Sequence, residues 1–92
     1  MEKSDLVFKV CQTPEDWGDE STVTVGAFHG NTGPMVDQHV SEVFADEFSR
    51  LGYDEDCEGQ LTAYDQTEEE VVAALRSEGF NAFLCDPRDL QN

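Results

Sequence analysis

The sequence predicts an α/β fold of the α+β kind, a two-layer sandwich in which a mixed four-stranded sheet carries two helices on one face in the order ββαβαβ. Three observations predict it. Two β-rich stretches open the chain at residues 6–11 and 22–29. Two stretches with the spacing of one helix face follow, at residues 36–51 and from Thr67 to about Glu78. Short apolar runs after each helix, at residues 59–64 and 80–85, supply the remaining strands. A chain of 92 residues makes one domain, 1–92, with a small core.

In order, Leu-Val-Phe-Lys-Val-Cys at residues 6–11 is rich in β-formers, and Thr-Val-Thr-Val-Gly-Ala-Phe-His at residues 22–29 alternates small polar with apolar residues, so the two read as antiparallel neighbours. Between them residues 13–18 offer a cap at Thr13, a first-turn proline at Pro14 and a stop at Gly18, enough for one helical turn with Trp17 over the core. Val36, Val40, Val43, Phe44, Phe48 and Leu51 then recur on one helix face, with Gly52 as the left-handed terminus and Asp37, Glu42 and Asp46 on the solvent side. Residues 59–64 read as a short strand around Leu61 and Ala63. Thr67 with Glu70 forms a capping box, Val71, Val72 and Leu75 face inward, and Gly79 ends the helix. The last strand stops at Asp86-Pro87 because proline cannot continue a ladder.

Charge is the leading functional clue. Twenty-one residues are Asp or Glu and five are Lys or Arg, for a net charge of −16. No cation lies between Lys9 and Arg50 or between Arg50 and Arg76, so the acidity belongs to the folded part of the chain. Such an excess repels itself, repels nucleic acid as a direct ligand, and attracts a basic protein groove, a divalent cation or a salt-rich solvent. Six Phe, two Tyr and one Trp separate the chain from acidic disordered segments. Cys11, Cys57 and Cys85 show no CxxC spacing, and no apolar stretch resembles a signal peptide or a membrane span, which points to a cytoplasmic protein with free thiols.

Residues 54–65 resemble the calcium loop of EF-hand proteins, with oxygen ligands at Asp54, Asp56 and Glu58, glycine at Gly59 and an apolar Leu61. The resemblance implies a calcium site at Asp54, Asp56, Glu58 and Asp65. The loop departs from the family in ending on Asp65 where a bidentate Glu belongs, and in having polar flanks such as Ser49, Arg50, Glu69 and Glu70 where core residues belong. Gly26, Gly30 and Gly33 match no phosphate-binding fingerprint, and the two His and three Cys have no zinc or nucleophile spacing. Neither an enzyme nor a resident cofactor is expected.

Sixteen excess charges equal those of roughly 27 Å of B-form duplex, about eight base pairs. In size, acidity and absence of catalytic motifs the chain resembles the small phage-encoded inhibitors of bacterial DNA-targeting immunity, the anti-CRISPR and anti-restriction proteins. Those proteins share no fold, so the resemblance assigns no residue. It implies a stoichiometric blocker of a basic DNA-binding protein, such as a Cascade-type CRISPR effector, acting in the host cytoplasm without touching nucleic acid or membrane. From the charge pattern, Glu42, Asp46, Asp54, Glu55, Asp56, Glu58, Glu68, Glu69 and Glu70 are the candidate partner-binding residues. An acidic, Lys-poor protein adapted to a salt-saturated cytoplasm is a further alternative.

Overall fold

In the computed structural model, residues 1–13 and 22–86 are described; the turn expected beyond Thr13, with Trp17, and the stop at Pro87 lie outside them. A turn of 3-10 helix over Lys3–Asp5 leads into β1 (Leu6–Gln12), β2 (Thr22–His29), α1 (Val40–Val43), α2 (Ala45–Leu51), β3 (Asp54–Cys57), β4 (Gln60–Tyr64), α3 (Glu68–Ser77) and β5 (Asn81–Leu84). The strands form one mixed sheet in the spatial order β3, β4, β2, β1, β5.

Strand alternation decides which side is core. Leu6, Phe8 and Val10 of β1, Val23, Val25 and Ala27 of β2, Leu61 and Ala63 of β4, and Ala82 of β5 share one face. They pack with Val40, Phe48, Val71, Val72 and Leu75, so all three helices cover that face. Phe80 stands edge-on to Phe8 at 5.0 Å and to Phe44 at 5.2 Å, joining sheet and helices. Each fully buried side chain of this size contributes about 1.5–3 kcal/mol.

Two crossovers build the layer. β1 pairs antiparallel with β2 and parallel with β5, and β2 pairs antiparallel with β4, so β4, β1 and β5 run the same way and α3 spans the two strands between β4 and β5. β2 and β3 likewise share a direction, joined by α1 and α2 across β4. Helix α3 ends in a Schellman motif: Phe80 N–H donates to the Leu75 carbonyl at 3.1 Å, Gly79 N–H to that of Arg76 at 3.0 Å, and Gly79 takes φ +92°. No helix among the described residues is long and apolar enough to cross a membrane.

The sheet's other face mixes polar and apolar side chains, with Cys11 directly opposite Thr24. Thr22 Oγ1 donates to Thr13 Oγ1 at 2.7 Å, and Thr13 Oγ1 lies 2.8 Å from Thr24 Oγ1. Buried Cys11 and Phe28 form a small cluster with half-buried Met35 and Cys85.

The fold departs from expectation in two places. Among the described residues the sheet has five strands rather than four, because the acidic run at 54–57 pairs with β4. Among the described residues there are three helices rather than two, because the periodic stretch 36–51 is not one helix. Its start extends the sheet, with Val36 N–H donating to the Ala27 carbonyl at 2.8 Å, and it breaks at Phe44, whose φ −114° and ψ 55° are not helical. The break places Val43 on the surface, 43% exposed, where helical spacing put it in the core.

Candidate partner-binding surface

The hairpin of β3 and β4 is built on Glu55. Strand alternation turns Glu55 toward the helical layer, where its carboxylate accepts from Val40 N–H (3.1 Å), Ser41 N–H (2.9 Å), Ser41 Oγ (2.7 Å) and Gly59 N–H (3.0 Å). Neither His39 nor any nearer side chain caps α1, so Glu55 does so from across the fold. The same carboxylate holds the hairpin turn, where Gly59 takes φ +80° and a Cβ would collide with the Val36 carbonyl oxygen. Gly59 is thus required by a β-turn and its close packing.

Asp54 lies opposite Thr62, and Asp56 is the extra residue of a bulge between Glu55 and Cys57. Asp56 accepts a 2.8 Å hydrogen bond from Thr62 Oγ1. Glu58 sits in the turn, while Asp65, at φ +58°, follows the other end of β4, about 17 Å away by the rise of a five-residue strand. The hairpin therefore holds Glu58 and Asp65 apart and does not wrap the four carboxylates of the EF-hand reading around one point. Among the described residues no three His, Cys, Asp or Glu side chains gather as a metal site.

At α3 the capping box is formed as the sequence indicates: Glu70 N–H donates to Thr67 Oγ1 at 3.2 Å, and Thr67 N–H donates to Glu70 Oε1 at 2.9 Å. Glu70 is thereby folded back on the helix end. Glu69 is exposed and half-buried Glu68 lines a shallow pocket with it, beside Gln12, Thr22, Val23, Gln66 and Thr67. Glu68 and Asp86 both act on Cys11, whose thiol is pushed up to about 12, chiefly by burial and then by neighbouring Cys85. The carboxyl ends of β1, β4 and β5 are therefore acidic.

On the helical side Glu42 and Asp46 are exposed. Glu47 is not available in the same way: Lys3 Nζ lies 2.8 Å from it, and that hydrogen bond, first among the causes, holds its carboxyl below the ordinary glutamate value. Glu78 is held low by hydrogen bonds from Arg50, the shortest 2.7 Å. The other described cations are also engaged within the fold. Arg76 Nε donates to the Ala82 carbonyl at 3.0 Å with its guanidinium over Phe83, and Lys9 Nζ lies over the Phe28 ring at 4.7 Å.

The nine carboxylates named from the sequence thus fall into three groups. Glu42 and Asp46 lie on the helical side, Asp54, Asp56 and Glu58 on the edge hairpin, and Glu68, Glu69 and Glu70 on the first turn of α3. Glu55 stands apart, turned inward. Sequence reasoning missed its capping role because the signal is a tertiary contact between residues 14 and 15 positions apart. No family model, curated protein or solved structure matches the chain.

Proposed function

We propose that this protein is a stoichiometric inhibitor that offers fixed carboxylates in place of DNA phosphates to the basic groove of a DNA-binding protein, with a bacterial CRISPR effector of the Cascade type as the partner class. The supporting observation is where the cations are. Lys3, Lys9, Arg50 and Arg76 are each engaged by groups of the same chain, and the two ion pairs among the described residues involve Glu47 and Glu78. Glu42, Asp46, Asp54, Glu58, Glu68 and Glu69 form no ion pair among the described residues, although Asp46 acts on Arg50 and Glu69 shares a pocket with Arg76, so most of this charge is open to a partner.

Magnitude agrees. The longest extent of the molecule is 32 Å, and a duplex of that length carries about 19 charges. The chain's −16 is close to that density on a body of similar size. Rigid backbone placement on strands and a capped helix means little ordering is lost on docking, and opposite fields raise the encounter rate.

The test is competition. A purified Cascade-type effector loaded with a fluorescent target duplex is titrated with the protein at two ionic strengths. Displacement at one molecule per effector, weakening about tenfold or more as salt rises, is the expected result. Poly-glutamate of equal total charge serves as control; equal displacement by it, or no displacement by the protein, defeats the proposal.

A further inference from the structure

β1 and β5 pair in parallel as far as Val10 opposite Leu84, and the next step of that register sets Cys11 opposite Cys85. The pairing continues there, since Cys85 N–H donates to the Val10 carbonyl at 2.9 Å. Alternation turns both side chains to the helix-free face, where they belong to one cluster with Phe28 and Met35, and Cys85 is close enough to act on the Cys11 thiol. Neighbouring strands stand about 4.8 Å apart, inside the roughly 4.4–6.8 Å of Cα separation that a disulfide spans. We infer that Cys11 and Cys85 are a thiol pair that closes to a disulfide under oxidation, fastening the last strand to the first.

The oxidant class is a small-molecule disulfide such as oxidised glutathione. Cys11 is almost fully buried, 1% exposed, whereas Cys85 is half-buried, so exchange starts at Cys85. Its thiolate attacks one glutathione sulfur and expels the other as glutathione thiolate. Cys11 then gives up its proton to solvent and attacks the Cys85 sulfur, forming the protein disulfide and releasing the second glutathione thiolate. Two protein thiols lose two electrons and two protons, and one oxidised glutathione becomes two reduced ones. The second step is the slow one, because burial keeps Cys11 protonated, with its thiol pushed up to about 12. Cys57 is exposed on the edge hairpin, in a different part of the sheet, and takes no part.

The folded protein is incubated with oxidised glutathione, then examined by intact mass and by peptide mapping without reduction. The expected product has lost two hydrogens, yields a cross-linked peptide containing Cys11 and Cys85, and melts about 10 °C or more above the reduced form, because a ring of most of the chain has been closed. Cys85→Ala, at a half-buried site, should fold and give no cross-link, and Cys57→Ala should leave the cross-link intact. A glutathione adduct that stops at Cys85, a cystine that includes Cys57, or a cross-link that leaves the melting temperature unchanged overturns the inference.

Discussion

Two acidic runs, Asp54-Glu55-Asp56 and Glu68-Glu69-Glu70, look alike in composition and behave differently in the fold. In the first, the middle carboxylate is spent on four hydrogen bonds that tie α1 to the hairpin turn, and its neighbour Asp56 accepts from Thr62. In the second, the last carboxylate closes a local capping box and the other two, Glu68 half-buried and Glu69 exposed, line a shallow pocket. Counting charge therefore overstates what a partner can meet. Position within the element, edge strand or helix end, decides which oxygens are left.

The sharpest way to break this comparison is Glu55→Ala. It strips three backbone donors and a hydroxyl of their acceptor at once, so we expect a loss of about 2–3 kcal/mol and a melting temperature lower by about 10–20 °C in thermal unfolding. Thr67→Ala removes the local cap of the second run and should cost about 1 kcal/mol in urea unfolding. Equal losses from the two substitutions would erase the distinction between a tertiary and a local role.

Acid titration probes the carboxylates that have cations. The folded-state values of Glu47 and Glu78 are lowered, so each contributes stability above the ordinary glutamate value of 4.5 and loses it as the pH falls through its folded value. The double variant Glu47→Gln with Glu78→Gln should melt a few degrees below the parent near neutrality, and the gap should close on acidification below 4.5. The smallest effect on stability belongs to Glu42→Gln, Asp46→Asn and Glu69→Gln together. These exposed changes should each stay within about 0.5 kcal/mol, yet weaken displacement of the duplex from the effector. Unaltered displacement would remove this surface from the binding site.

Local rules made part of the molecule legible in the sequence. Thr67 with Glu70, and Gly79 before Phe80, announce both ends of α3, while β-forming residues announce β1 and alternation announces β2. β3 was illegible because Asp-Glu-Asp-Cys has little intrinsic strand preference; its ladder to β4 and the reach of Glu55 to α1 hold it extended. The break at Phe44 was hidden for a related reason. Val40, Phe44 and Phe48 keep helical spacing on both sides of it, and the Phe44 ring still meets Phe80. For the candidate surface, the sequence revealed the excess of charge, whereas the sorting of bound from available carboxylates depends on contacts distant in sequence, such as Lys3 with Glu47 and Arg50 with Glu78.

The strand order also sets a timetable for biosynthesis. β1 is a central strand whose second neighbour, β5, lies far along the chain from it, with Val7 pairing to Asn81. A nascent chain must therefore leave one margin of β1 open until β5 has been synthesised, a nonlocal closure that slows folding. A product truncated before Asn81 would keep that margin bare and would be prone to pair with other chains.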